Sequence, residues 1–217
     1  PERQRQMVHG YYASVSYIDA QVGRLMDELQ RLGLEDNTIV VLWGDHGWKL
    51  GEHNSWCKMS NYEIDTRVPM IFSGTGVKAK GQKSSALTEF VDIYPTLCDM
   101  AGFKVPERLE GKSLTPLLKT PDKKWKNAAF SQYLLGRFGP PEMRKHERMG
   151  YTIRTDRYRY VEWYSWNKKN KKPDNFLSRE LFDHKTDPME NNNIAESLPK
   201  ITKKLSKQLK TGFKGLQ

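Results

Sequence analysis

The stretch Thr38–Lys58, TIVVLWGDHGWKLGEHNSWCK, decides how the rest of the chain is interpreted. It begins as a run of β-branched and aliphatic residues, which is typical of a buried strand. Because open α/β sheets bind their ligands beyond the carboxyl ends of their strands, we expect the chemistry in the loop that follows. That loop bends through two glycines and carries the polar and aromatic side chains Asp45, His46, Trp48, Glu52, His53 and Lys58.

The segments on either side of this stretch predict the fold class. Apolar residues recur every three or four positions over Met7–Leu32, which predicts a helix with one buried face, and Gly33 predicts its C-cap. A helix that leads into a buried strand is one αβ step of a wound, mostly parallel sheet with flanking helices. Val68–Ser73 predicts a second buried strand, and Thr88–Gly102 predicts a helix with Pro95 in its first turn or at a kink.

The pattern changes after residue 106 to short strand-like pieces, which predict a small antiparallel sheet with a packed helix. We therefore expect two domains, residues 1–125 in the α/β part and residues 126–217 in the antiparallel part. The predicted elements are strands at Ala128–Tyr133, Gly150–Tyr164 (two strands around a turn) and Glu180–Asp183, a loop at Trp166–Leu177, and a helix at Leu198–Lys214.

Composition limits the class of partner. The chain has 217 residues with a modest hydrophobic content of 37%, but its 11% aromatic content and clear apolar periodicity argue against disorder. Thirty-six Lys and Arg against 26 Asp and Glu give a net charge of +10, which favours a polyanionic partner: nucleic acid, anionic lipid or a sulfated glycan. No helix-turn-helix, zinc or aromatic RNA-binding pattern accompanies the charge, so nucleic acid is not expected. No apolar run has the length of a membrane span.

The residues of the loop suit two kinds of chemistry. A carboxylate next to an imidazole, Asp45 and His46, can ligate a cation or act as an acid/base pair. Lys58 is a point charge suited to a tetrahedral oxyanion, His53 could transfer a proton, and Trp48 could line the site for a sugar or aromatic substrate. No nucleophile elbow or phosphate-binding glycine loop occurs in the sequence, so these residues predict only part of an active site.

Several motifs together resemble the C-terminal part of type I sulfatases of the alkaline-phosphatase superfamily, in the iduronate-2-sulfatase-like branch. They are DNTIVVLWGDHGWKLGEHNSWCK with NYEIDTRVPMIFSGTG and VDIYPTLCDMAG, the preceding helix YYASVSYIDAQVGRL, and MGYTIRTDRYRYVEW with ELFDHKTDP. The resemblance implies a hydrolase that removes sulfate from a sulfated carbohydrate such as a 2-O-sulfated uronate glycan, and a periplasmic, secreted or lysosomal location. It also implies that Asp45 and His46 complete the coordination of one Ca²⁺ ion and that Lys58 contacts the sulfate. Trp48 and His53 belong to the same motif and are expected to face the substrate.

One feature of that family is missing from this sequence. Its nucleophile is a formylglycine made from Cys or Ser in C/S-x-P/A-x-R, and neither Cys57 nor Cys98 is followed by that pattern. The aspartates that complete the metal site are absent as well. We therefore expect the formylglycine to lie in an N-terminal half of the enzyme, on another chain or lost by processing, which would be the partner of this chain.

Two alternatives remain open from the sequence. The first is a phosphomonoesterase or phosphodiesterase of the same superfamily, which would usually carry two metal ions and a Ser or Thr nucleophile. The second is a non-catalytic module that binds polyanions through its basic surface. In the sulfatase interpretation, the Arg144–Arg148 run could instead reach the substrate cleft or be a solvated charge run.

Overall fold

The computed structural model describes residues 1–136, 142 and 146–213. These residues form two compact units, the first made of residues 1–57 and 68–124 and the second of residues 58–67 and 125–217. Residues 144 and 145 of the basic run and the predicted helix end at Lys214 lie outside the described residues. In the part that is described, no helix combines the length and apolarity needed to cross a membrane.

The first unit begins with a long helix, α1, at Glu2–Arg31. It ends as predicted at Gly33, whose φ is +68° and whose backbone N–H donates to the Gln30 carbonyl at 3.0 Å, while the Leu34 N–H donates to the Leu29 carbonyl at 3.0 Å. The predicted buried face is wrong for this structure, because no residue of α1 is buried. Periodicity identifies the apolar side of a helix but not what covers it.

The strands of the first unit pair antiparallel, so the predicted parallel pairing is wrong for the described strands. Strand β1, Val40–Trp43, pairs with β4, Met70–Ser73, in the register Val41↔Phe72. Between them, β2 (Lys49–Leu50) and β3 (Trp56–Cys57) form a small hairpin. The pairing is antiparallel because the chain returns from β1 to β4 through this hairpin rather than through a crossover helix.

Strands β1 and β4 are not the buried strands that their composition predicts. Trp43 is 47% exposed and Ile71 is 55% exposed, and neither β1 nor β4 contains a buried residue. Their β-branched and aromatic composition therefore marks an apolar surface that is open to solvent in this chain.

The predicted helix before Gly102 is present but shorter. A 3-10 helix at Phe90–Asp92 leads into α3 at Ile93–Met100. The one-turn helix α2 at Glu63–Thr66, which precedes it in the chain, belongs to the second unit. Pro95 is buried in the first turn of α3, where its missing N–H costs nothing. The last helix of the first unit is α4, Thr115–Lys119.

A buried carboxylate anchors the chain against the start of α3. The Asp92 side chain is fully buried and accepts hydrogen bonds from the backbone N–H groups of Glu89 at 2.9 Å and Lys112 at 2.8 Å. The chain lies so close here that a Cβ atom on Gly111 would be 1.7 Å from the Val91 carbonyl oxygen. Only glycine fits at position 111 without a backbone shift.

The second unit is a four-stranded antiparallel sheet in the order β5-β6-β7-β8. The strands are β5 at Ala129–Leu135, β6 at Arg148–Arg154, β7 at Tyr158–Asn167 and β8 at Lys172–Asp183. The predicted loop at Trp166–Leu177 is wrong, because most of it belongs to the β7–β8 hairpin. Its exposed polar residues have no apolar alternation, so the sequence gives no strand signal there.

The two faces of this sheet differ in chemistry. One face is apolar and packs against α5, Pro199–Gly212. The other carries the cross-strand neighbours Arg154 and Arg159, with Thr152 and Gly150 further along β6. The core of the apolar face includes Tyr151, Ile153, Tyr160 and Leu181 of the sheet and Leu205 and Leu209 of α5.

A carboxylate is buried within the apolar face. Glu162 accepts hydrogen bonds from the hydroxyl groups of Tyr160, at 2.8 Å, and Tyr164, and the Lys210 amine lies 3.9 Å away. Burial, followed by the Glu162 hydrogen bond and charge, raises the pKa of both tyrosines well above its usual range. Both hydroxyls therefore stay protonated and donate to the carboxylate.

Candidate functional site

The loop that follows β1 begins at Gly44, where the backbone lies close to residues 68 and 69. The Gly44 N–H donates to the Pro69 carbonyl at 3.1 Å, and a Cβ atom on Gly44 would lie 3.2 Å from the Val68 Cβ. A small residue is therefore favoured where the chain turns out of the strand. The next side chain, Asp45, is 82% exposed.

Asp45 and His46 form a pair whose geometry suits a cation. The backbone N–H of His46 donates to Asp45 Oδ1 at 3.0 Å, and His46 Nε2 lies 3.1 Å from Asp45 Oδ2. His46 Nδ1 is 2.9 Å from the Gly47 carbonyl oxygen, which can only accept, so Nδ1 carries the proton. A neutral ring then directs the Nε2 lone pair towards the carboxylate oxygen.

Two lone pairs at this separation repel each other unless a positive charge lies between them. That charge is either the second proton of an imidazolium or a metal ion held by both atoms. The pair therefore fits the expected Ca²⁺ ion as part of a ligand set, although Ca²⁺ takes about six to eight ligands, mostly oxygens, and these two residues supply only two groups.

Trp48 belongs to a stack of rings that the sequence did not reveal. Its ring centroid lies 6.1 Å from that of His46 and 6.0 Å from that of Tyr11 on α1, with interplanar angles of 24° and 19°. Helical periodicity marks Tyr11 only as part of α1, so nothing in the sequence predicts this contact. The stack gives Trp48 a role in orienting His46, and its expected contact with substrate stays a prediction.

His53 lies in a strained turn. It belongs to the 3-10 helix Glu52–Asn54 between β2 and β3, and its φ is +54°. The Leu50 N–H donates to the Glu52 carboxylate at 2.6 Å, and the Gly51 N–H donates to the Ser55 carbonyl at 3.1 Å, which closes the turn. The role of His53 in facing the substrate stays a prediction.

Left-handed backbone conformations are concentrated in this part of the chain. Besides His53, Asn54, Cys57 and Met59 have φ values of +51°, +68° and +88°. Such conformations are uncommon for residues other than glycine and cluster at ligand-binding sites. Lys58 is half-buried and stands between two of them. It is the first residue of the stretch 58–67, hereafter the 58–67 segment, which belongs to the second unit.

The second unit contains a cluster of charged side chains that the sequence did not reveal. Glu63, His184 and Glu190 have possible ligand atoms within 4.8 Å of one another, close enough to share a metal ion. However, Arg159 donates from Nε to Glu190 at 2.5 Å and also binds the Glu63 carboxylate, and Arg154 Nε donates to Glu63 at 3.0 Å. We call these five residues the ion-pair cluster.

The charges of the ion-pair cluster are already balanced by protein groups. Burial alone would raise the pKa of Glu63, but the guanidinium groups of Arg159 and Arg154 outweigh it and hold that pKa below its usual range. Glu190 is 1% exposed and also accepts the Glu63 backbone N–H at 2.7 Å. The two arginines supply the positive charge that a metal ion would bring, so this cluster is a weaker cation site than the Asp45–His46 pair.

Comparison with known proteins matches residues 1–103 to the sulfatase family. Iduronate 2-sulfatase of Homo sapiens is 33% identical over 248 residues, which cover 88% of this chain and 44% of the relative. An N-acetylglucosamine-6-O-sulfatase of Bacteroides thetaiotaomicron is 34% identical over 193 residues, which cover 88% and 32%.

The solved structures agree. A protein solved in complex with its substrate, D-glucosamine-2-N,6-O-disulfate, is 32% identical and superposes with a TM-score of 0.77 over 93% of this chain and 39% of that one. The chain therefore spans less than half the length of each of these relatives.

Proposed function

Because the chain belongs to the sulfatase family, we propose that it forms part of an enzyme that hydrolyses the sulfate ester of a sulfated carbohydrate, such as a 2-O-sulfated uronate glycan. The observation that carries this proposal is the Asp45–His46 pair at the end of β1, where His46 Nε2 and Asp45 Oδ2 lie 3.1 Å apart. The pair belongs to the part of the chain that matches the sulfatase family. The net charge of +10 suits a polyanionic substrate.

The roles that we propose follow the chemistry of each group. Asp45 and His46 supply two ligands to one Ca²⁺ ion, which would offset the negative charge of the sulfate group. The Lys58 amine binds a sulfate oxygen and stabilises negative charge that develops on it. Trp48 and His53 complete the substrate-facing wall, with Trp48 also holding the His46 ring.

We propose that an N-terminal half of the enzyme supplies the formylglycine and the remaining metal ligands. The chain spans less than half of its relatives, and its first unit exposes a large apolar surface. Leu25 is 68% exposed and Ile18 is 58% exposed on α1, and Trp43 and Ile71 are exposed on β1 and β4. An N-terminal half that covers these side chains would explain why the sequence of α1 predicts a buried face.

The division into domains 1–125 and 126–217 is part of the same proposal, and so is a periplasmic, secreted or lysosomal location.

The test is sulfate release by the assembled enzyme, with and without a calcium chelator. We expect release from 2-O-sulfated uronate oligosaccharides, its loss on chelation, and its recovery with added Ca²⁺. Lys58→Ala should lower turnover about 100-fold or more, as loss of an oxyanion contact does. Lys169→Ala, on the exposed β7–β8 turn, is the matched control and should leave turnover unchanged.

The alternatives give different results in the same assays. Hydrolysis of phosphate esters with no sulfate release, together with two metal ions per site, would replace the proposal with a phosphoesterase. Salt-dependent heparin binding without metal uptake or turnover would replace it with a polyanion-binding module. Full turnover by Lys58→Ala would remove that residue from the mechanism.

A further inference from the structure

The 58–67 segment is braced by its own hydrogen bonds. The Ser60 hydroxyl donates to the Asp65 carboxylate at 2.6 Å, and the Asp65 and Thr66 backbone N–H groups donate to the Tyr62 carbonyl at 3.0 and 3.1 Å. These bonds include the single turn of α2. These bonds brace residues 60–66, and Lys58 lies two positions before this braced part.

One half-buried carboxylate fixes this piece to the polar face of the sheet. Glu63 binds Arg154 and Arg159, which are neighbours on β6 and β7, and its backbone N–H donates to Glu190. Arg159 also donates to the Thr66 hydroxyl at 3.0 Å. Arg159 is 2% exposed, so water screens these contacts weakly.

A steric contact fixes the same piece independently of charge. Asn61 is 3% exposed and packs on Gly150 of β6, where a Cβ atom would lie 2.3 Å from the Asn61 amide nitrogen and 2.7 Å from the Trp163 ring. Asn61 can pack this closely on β6 because residue 150 is a glycine and has no side chain. The segment thus lies against the sheet at two points, by ion pairs at Glu63 and by close packing at Asn61.

We propose that Glu63, Arg159 and Gly150 are positioning residues for Lys58: they hold the 58–67 segment on the sheet and so fix where the Lys58 amine lies. The inference rests on the proposed role of Lys58 in binding sulfate. Four residues lie between Lys58 and Glu63, and those from Ser60 onwards belong to the braced part, so a shift at the anchor is passed along the chain to the amine. A displacement of about 1 Å at a catalytic group can lower a rate about 100-fold.

The test uses the assembled enzyme and two variants of the anchor, one that removes a charge and one that introduces a steric clash. Glu63→Gln keeps the shape of the side chain but removes its charge, and Gly150→Ala displaces Asn61 without touching the ion pairs. The matched control is Glu162→Gln, a buried, hydrogen-bonded carboxylate on the opposite face of the same sheet. Amide hydrogen exchange over 58–67 and the rate at which an N-hydroxysuccinimide ester acylates Lys58 report position without turnover.

We expect both anchor variants to raise exchange in the 58–67 segment and to change Lys58 acylation at least threefold, while Glu162→Gln changes neither. Sulfate release should fall about 10- to 100-fold in Glu63→Gln but less than twofold further when Glu63→Gln is added to Lys58→Ala. An equal loss in both backgrounds, or unchanged exchange and acylation in both anchor variants, would overturn the inference. If the enzyme releases no sulfate, the proposed function fails, and exchange and acylation still decide the positioning role.

Discussion

Replacing Asp45 by Asn separates a ligand role from a structural role, because the structure predicts a small effect on stability and a large one on activity. The carboxylate is 82% exposed, and its contact with the His46 ring at 3.1 Å is an exposed pair. Such pairs contribute about 0.2–1 kcal/mol to stability. For a protein of this size that corresponds to a change in melting temperature of at most about 4 °C.

The expected loss of activity is much larger. Groups that only orient a metal ligand cost about 10- to 100-fold in metal affinity or activity when changed, so loss of a direct ligand should cost about 100-fold or more. Calorimetry gives the melting temperature, titration gives Ca²⁺ affinity, and ion chromatography gives released sulfate. Asp156→Asn, at an exposed turn of the second unit, is the control and should alter none of the three. Unchanged Ca²⁺ affinity would refute the ligand role, as would a fall in melting temperature above about 8 °C measured without Ca²⁺, where loss of the bound ion plays no part.

Three further predictions concern the fold. Glu162→Leu leaves two buried tyrosine hydroxyls without their acceptor and should lower the free energy of unfolding by at least about 2 kcal/mol in urea, more than Glu162→Gln does. Gly111→Ala should cost about 1–3 kcal/mol in the same assay, since its methyl group would overlap the Val91 carbonyl; an unchanged midpoint would contradict the described backbone. The pKa of Glu63 in the folded protein is below its usual 4.5, so its ionised carboxylate stabilises the fold fully above pH 4.5, and this stabilisation is lost as the pH falls through the lowered pKa. The free energy of unfolding should therefore fall less steeply with decreasing pH in Glu63→Gln than in the unmodified protein.

Local patterns predicted much of this chain, because they follow from backbone geometry. The stop of α1 at Gly33, the position of Pro95 and the antiparallel pairing of β6 with β7 depend on residues close in sequence. The Asp45–His46 pair was accessible for the same reason, since its two members are adjacent and follow a recognisable strand.

What the sequence did not reveal depends on contacts between distant segments. Nothing in the sequence links Arg154 and Arg159 to Glu63 and Glu190, which only the tertiary fold brings to them. The apolar stripe of α1 predicted a buried face wrongly, because burial depends on the elements that cover a helix, and here they leave its apolar residues at most half-buried. Parallel pairing was wrong for β1 and β4 because a continuous apolar run is typical of parallel strands but does not fix strand direction.

The second unit is assembled from two separated stretches, residues 58–67 and the chain after residue 124. This has a consequence for building chimaeras from related sulfatases. A single crossover near residue 124 would combine Glu63 and Asn61 from one parent with Arg159 and Gly150 from the other. A graft of the antiparallel sheet should therefore include the ten residues that begin at Lys58, so that both halves of the anchor come from the same ancestor.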